Sequence, residues 1–277
     1  MAEERFGFLD RAGRDRMKAM DRRTVFGGAG RPVTAMAALA LMLAACGPAA
    51  VPSGIDDPNE AQNRQVHAFN RAVDRNLLRP TATTYSSVLP EPVERGISNF
   101  ASNLDAPGDV VNNLLQFRIG KAAENTMRFA INSTIGIGGL FDPATALGVA
   151  GDPTDFGETM HIWGAPEGEY VEVPFLGPST GRDVAGLVVD VALNPVRLAL
   201  PQPEAGYATA TKIASGLSNR ARFSDTVDAI LYESADSYAQ ARLLYLQNRR
   251  FELGQDASGA DAGFEDPYTD FEDPYAE

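Results

Sequence analysis

Apolar residues recur at helical spacing over most of the chain. Val66, Phe69, Val73 and Leu77 stand 3, 4 and 4 positions apart, which is one stripe of a helix. Ahead of them Asp57 is placed as an N-cap, Pro58 suits the first turn and Glu60 adds a first-turn acid; Pro80 is expected to end the element. Val93, Ile97, Phe100 and Leu104 predict a second helix opening at Pro92. Pro107 is expected to start a third, shorter one through Val110, Val111, Leu114 and Leu115. A fourth runs from about Arg118 to Ser133. Asp142 and Pro143 predict a short capped helix closed by Gly148, and residues 155–163 another. Residues 170–175 alternate, but Pro174 confines them to an edge strand or an extended loop, and residues 177–181 read as a turn. Helices come next at 184–191, stopped by Asn194 and Pro195, at 204–217, and at about 224–253. The last is expected to be the longest, capped by Asp225. The fold class is therefore all-α, built of mostly short amphipathic helices joined by Pro/Gly turns, with little or no strand.

One stretch breaks this pattern. Ile135, Gly136, Ile137, Gly138, Gly139, Leu140 and Phe141 carry no charge and no hydrogen-bonding side chain. A surface loop is normally polar, and a core helix would not hold three glycines so close together. The segment either packs tightly on protein or faces something apolar that is not protein. Asn132 and the Asp142–Pro143 cap pin its two ends.

The N-terminus is a leader to be set aside from the fold. Arg22, Arg23 and Arg31 precede an apolar run over residues 32–45, which ends in Leu43-Ala44-Ala45-Cys46. This is the pattern of a bacterial lipoprotein signal, with Cys46 as the acylated residue. A spanning anchor is the competing reading, but the run is shorter than the ~20 residues that it needs. Met17 and Met20 are alternative starts. Cys46 is the single cysteine, so no internal disulfide is available. Residues 1–45 are read as signal peptide, 46–56 as acylated terminus and tether, 57–254 as the helical domain and 255–277 as a disordered acidic tail. That tail repeats Phe-Glu-Asp-Pro-Tyr at 264–268 and 271–275.

The formal charge of the chain is −13, and the leader is basic: with eight Lys/Arg and five Asp/Glu removed, the remainder stands at −16. Phosphate repels such a chain, which argues against nucleic acid as a partner. Membrane contact must then be apolar or run through the acyl anchor, and several acyl chains hold stably where one does not.

Few residues offer chemistry. Residues 177–181 match G-x-S-x-G, but both histidines, His67 and His161, precede Ser179, whereas that nucleophile turn needs its histidine after the serine. Ser179 or Thr180 serves more simply as a helix N-cap. The glycines at 136, 138 and 139 do not fit a nucleotide fingerprint. Two distant histidines make no metal site, and no cofactor is implied. Arg64, Arg128 and Arg182 recur beside apolar segments; each suits a lipid phosphate, or a structural role at a carboxylate or a helix end.

Taken in order, the motifs resemble the MlaA (VacJ) family of outer-membrane phospholipid-transport lipoproteins. They comprise Asp57-Pro58-x-Glu60 with Asn63-Arg64 and Phe69-Asn70; Asn112 with Gln116; Arg128-Phe129 through Asn132 to Asp142; Asp155-Phe156-Gly157 with Trp163-Gly164; and Arg182-Asp183 with Gly186. Ala61 and Phe117 stand where the family usually has glycine. The resemblance implies a ring-like helical protein lying in the periplasmic leaflet of the outer membrane. It implies an amphipathic channel that passes phospholipid from the outer leaflet, a porin trimer around the protein, and a periplasmic carrier feeding an inner-membrane ABC transporter. It implies no covalent chemistry; an esterase using Ser179 and a structural porin-associated lipoprotein are the alternatives. Residues 135–141 are the expected lipid contact.

Overall fold

A computed structural model describes residue 52 and residues 54–255, all within one compact unit of the chain. Cys46, the leader and the acidic repeats lie outside the described residues. The elements are α1 Glu60–Val73, a π-turn Asp74–Leu78, α2 Arg79–Val88, α3 Glu91–Leu115, α4 Ile119–Thr134, α5 Pro143–Ala146, α6 Phe156–Ile162, β1 Tyr170–Val173, β2 Gly177–Thr180, α7 Gly181–Leu193, α8 Pro195–Ala199, α9 Glu204–Arg222, α10 Ser224–Asp228, a second π-turn Ala229–Glu233 and α11 Ser237–Glu252. The class is all-α with one two-stranded hairpin, as the spacing predicts.

Several boundaries differ from the sequence pattern, each for a local reason. Pro80 does not end the first helix. The π-turn sends the Arg79 N–H back to the Asp74 carbonyl, and the chain continues with Pro80 in the first turn of α2, where its missing N–H costs least. Asp57 does not cap α1. Its carboxylate instead accepts hydrogen bonds from Asn63 (2.9 Å), from the Tyr238 hydroxyl (2.5 Å) and from Arg242. Pro107 starts no helix but lies inside the 25-residue α3. An interior proline costs ~3 kcal/mol, and α3 is held on both sides of it. Asn99 and Asn103 bond to Leu140 O and Ser133 Oγ on one side, and Asn112 and Gln116 to Asp190 and Thr159 on the other.

The final long helix divides. Ser234 turns extended, and Asp236 rather than Asp225 caps α11, accepting from the Ala239 N–H at 3.1 Å. Residues 177–180 of the expected turn instead form β2, paired antiparallel with β1 from Tyr170↔Thr180 to Val173↔Gly177, and Gly181 opens α7. Pro178 is tolerated there because its partner Glu172 points its own N–H away from β2, toward Asn63; no ladder bond is lost.

Within this unit the packing closes into a circuit: α1 against β1, β2 against α7, α7 on α6, α6 on α3, α3 on α9, α9 on α2, and α2 back through the π-turn to α1. The interior is unusual. Among the described residues the buried apolar set is five alanines with Tyr170, Tyr238 and Leu246, whereas the buried polar set includes six asparagines, two histidines, Arg182, Glu167 and Glu172. Large apolar side chains lie outside: Phe117, Ile119, Ile135, Ile137, Phe141, Leu147, Phe175, Leu176, Val188 and Leu198 are all exposed. No helix among the described residues is long and apolar enough to cross a membrane.

Candidate functional site

The residues of the recurring motifs are joints of this framework. Asn63 and Asn70, two turns apart on α1, grip the hairpin backbone. Asn63 donates to Tyr170 O (3.0 Å) and accepts from the Glu172 N–H (3.1 Å); Asn70 donates to Val173 O (3.0 Å) and accepts from the Phe175 N–H (2.7 Å). Asn63 thus acts as a strand partner for the free edge of β1. Phe69 meets Phe175 edge-to-face at 5.1 Å. Glu60 and Asp236 hold Arg64, whose guanidinium also lies over the Tyr238 ring at 4.5 Å.

A second joint gathers α6, α7 and α11. Asp155 caps α6 through the Glu158 N–H (2.8 Å) and accepts from Arg249 (2.7 Å). Asp183 receives Arg249, Tyr245 and Thr180. Burial opposes its charge, and these partners overcome it to hold the carboxyl below its ordinary range. Thr180, not Ser179, is the N-cap of α7. Gly157 and Gly186 let the helices cross closely: a Cβ at 186 would sit 2.4 Å from the Gly157 nitrogen. Phe156 meets Trp163 edge-to-face, and the indole donates to Leu115 O at 3.1 Å. Arg182 is buried with all three guanidinium nitrogens lacking a hydrogen-bond partner, its nearest carboxylate oxygen being on Asp183 at 3.6 Å. Buried His161 is pushed down by desolvation and by the Arg182 and Arg249 charges.

The glycine-rich segment is a tight turn with an apolar outer face. Its stems are bonded to each other: Asn132 donates to Asp142 (3.0 Å) and accepts from the Ala144 N–H (3.1 Å), while Arg128 reaches Asp142 (2.6 Å), Thr145 and Val149 O. Burial works against the Asp142 charge, but the bonds from Thr145, Asn132 and Arg128 hold its pKa at about 2. Gly136 and Gly139 are buried. A Cβ at 136 would lie 2.4 Å from Phe141 O, and one at 139 would lie 2.6 Å from the Asn103 Cβ. Ile135, Ile137, Leu140 and Phe141 all face outward, with Ile137 at 64% exposure and in the left-handed region (φ 53°).

An open groove of about 400 Å³ lies between α3, α7, α8 and α9. Leu104, Leu187, Val191, Val196 and Leu200 form apolar walls, and Asp105, Asp109, Asn112, Asp190 and Lys212 a polar spine. Lys212 is paired with Asp105. Asp190 accepts from Asn112 and from the Phe156 N–H, both at 2.9 Å. Burial, reinforced by Asp105, Asp190 and Asp152 and only partly offset by the Thr154 N–H, pushes Asp109 up to about 7. None of residues 135–141 lines this groove; they lie along α3 from it, with Leu140 O bonded to Asn99 and Gly139 packed on Asn103. The sequence pattern does not single out the groove residues. Asp105, Gly108, Asp109 and Asn112 share a helical face, but taking Pro107 as a helix start breaks their phase. Ser179, the serine of the esterase pattern, engages Tyr245; among the described residues no hydrogen bond joins it to a histidine, since His67 bonds Glu172 and Ser237 and the buried His161 Nδ1 has no partner.

The body is mostly helical, with hydrogen-bonded asparagine joints inside, large apolar side chains outside and an amphipathic groove, the make-up of a lipid-handling helical protein. The chain belongs to the MlaA lipoprotein family, whose model matches residues 55–252. It is 34% identical over 205 residues to the intermembrane phospholipid transport system lipoprotein MlaA of Shigella flexneri, covering 72% of this chain and 78% of that one. An uncharacterized protein of Rickettsia felis is 39% identical over 141 residues, half of this chain; the match spans 56% of that relative's length. A solved structure described as the structural basis for maintenance of bacterial outer membrane lipid asymmetry is 32% identical, with a TM-score of 0.63, covering 71% of this chain and 98% of that one.

Proposed function

We propose that this protein is an outer-membrane lipoprotein, anchored through Cys46 in the periplasmic leaflet, that takes phospholipid from the outer leaflet through the groove toward the periplasm. The names of its relatives support phospholipid transport. A porin trimer around it and a periplasmic carrier feeding an inner-membrane ABC transporter complete the proposed route. The groove itself performs no covalent step: lipid enters, is held and leaves.

The observation that carries this reading is the inverted distribution of polarity. In water, so many exposed large apolar residues around a polar interior would be an aggregation hazard. In a lipid interface the same surface is solvated by acyl chains, and the interior bonds satisfy the polar groups that lipid cannot. The groove then offers leucine and valine to acyl chains and a charged spine to a headgroup. Residues 135–141 are proposed as a lipid contact beside the groove, with acyl chains against Ile135, Ile137, Leu140 and Phe141.

Gly108 provides the test. It lines the groove, and a Cβ there meets nothing within 4 Å, so Gly108→Phe has room at its Cβ and is expected to direct its ring into the groove. Expressed in cells lacking the native gene, the variant should melt as the parent does yet leave phospholipid in the outer leaflet and the detergent barrier weak. Full restoration of outer-leaflet lipid balance by the plugged protein would overturn transport through the groove.

A further inference from the structure

A second cavity, of about 620 Å³, opens between α1 and the start of α11, and shares no lining residue with the groove. At its floor three side chains from three elements stand in line. Ser237, the first residue of α11, has its hydroxyl 3.1 Å from His67 Nε2. The other ring nitrogen, His67 Nδ1, is 3.2 Å from Glu172 Oε1 on β1. The second oxygen of Glu172 is held by the Tyr170 hydroxyl at 2.5 Å, and Asn70 also reaches Oε1 at 3.3 Å. His67 and Glu172 are buried, whereas Ser237 is half-buried and lines the cavity. A hydroxyl within reach of an imidazole that a carboxylate orients in turn is the relation that activates a serine nucleophile.

The surroundings fit an ester. Ser237 begins a 16-residue helix, so its own N–H is a first-turn donor without an acceptor inside the helix, at the positive end of the helix dipole. That is where an oxyanion would form. The wall carries Arg64, Arg71 and Arg75. Arg64 is committed to Asp236 and Glu60. Arg71 and Arg75 lie over the Tyr232 ring, and the buried Arg71 Nε has no hydrogen-bond partner. Among the described residues these two arginines have no carboxylate partner, which suits a phosphate, and Ala68, Ala72 and Ala235 leave room for the rest of the molecule.

We propose that Ser237, His67 and Glu172 form a serine-hydrolase site for carboxylic esters that carry a phosphate, of the lysophospholipid class. Ser237 Oγ attacks the ester carbonyl carbon as its proton passes to His67 Nε2. The carbonyl C–O bond to the alcohol breaks, and the alcohol leaves with that proton. Water, deprotonated by His67, then cleaves the acyl-serine ester to release the fatty acid and restore the Ser237 hydroxyl. Ser237 and His67 are the catalytic residues. Glu172 is a positioning residue, acting through the imidazole. The site is independent of the groove, so its failure would leave the transport reading intact.

The test uses the intact lipoprotein in detergent, a biotinylated alkyl fluorophosphonate, p-nitrophenyl butyrate and a fluorogenic lysophosphatidylethanolamine. The expected result is an adduct mapped by mass spectrometry to Ser237, and hydrolysis of both esters. Ser237→Ala and His67→Gln should lower labelling and turnover at least about 100-fold, while Ser179→Ala behaves as the parent. Glu172→Gln should lower kcat with KM retained, and Arg71→Gln should raise KM for the lysophospholipid but not for the butyrate. Ser237→Ala should still clear outer-leaflet phospholipid. Absence of labelling and turnover in the parent protein, or an adduct on any residue other than Ser237, would overturn the proposal. The mapped adduct decides the matter even if a variant fails to fold.

Discussion

Asp109 shows how one side chain senses the groove. Burial among Asp105, Asp190 and Asp152 lifts its pKa to about 7 from the ordinary 3.8. The folded protein therefore holds a proton there that the unfolded chain has released between about pH 4 and pH 7. Stability from this group is fully present below pH 3.8 and is lost as pH rises through about 7. Asp109→Asn should consequently raise the melting temperature more at pH 8 than at pH 5. Thermal melts at the two pH values check this, and an equal gain at both would exclude Asp109 as the source. The residue scale also shows why glycine is required at 136 and 139, where a Cβ would strike neighbouring atoms, and why 138 differs. There the space is open, and φ of +71° alone favours glycine.

At the scale of elements, asparagine does what apolar packing does elsewhere. Asn63 and Asn70 fasten α1 to the hairpin, Asn132 closes the glycine turn, and Asn112, Asn113 and Asn125 join α3 and α4 to α7 and to the segment ahead of α6. Asn63→Ala strands a buried carbonyl and a buried N–H on β1. At about 1–3 kcal/mol for each such group, the loss should be about 3 kcal/mol, read as a lower urea midpoint. An unchanged midpoint would mean that the hairpin does not depend on α1. The motif residues are legible in the sequence as a set, because their order is specific. Their jobs are not: nothing local tells Asn63 that its partner lies 107 residues away at Tyr170. Asp142 is legible as a cap, and Ser179 or Thr180 as the next, because capping is decided within three residues. Asp57 departs from its expected cap for the opposite reason, since its partners Tyr238 and Arg242 come from the far end of the chain.

At the scale of the whole molecule, the apolar exterior should govern partition to lipid. In a form with Cys46 replaced by Ser, Ile137→Glu or Phe141→Glu removes a side chain that lipid would bury. At about 2 kcal/mol for each side chain, binding to phospholipid vesicles should fall roughly 30-fold for each substitution. Melting should change little, because both residues are exposed (64% and 59%). Co-sedimentation measures the first and calorimetry the second. Unchanged vesicle binding would show that the glycine turn does not meet the bilayer.

The sequence by itself determined the helical class, the short capped elements, the apolar glycine turn and membership of the family. These rest on periodicity, on cap chemistry and on residue order, all of which are local or additive along the chain. The tertiary structure alone decided that α3 runs through Pro107, that α1 passes through a π-turn into α2, that the last helix breaks at Ser234, and that residues 177–180 pair as a strand. In each case distant hydrogen bonds or packing outweigh a local preference of a few kcal/mol or less. The groove and the Ser237–His67–Glu172 alignment belong to the same category. Their residues come from separate elements, and only the closure of the packing circuit brings them within reach of one another.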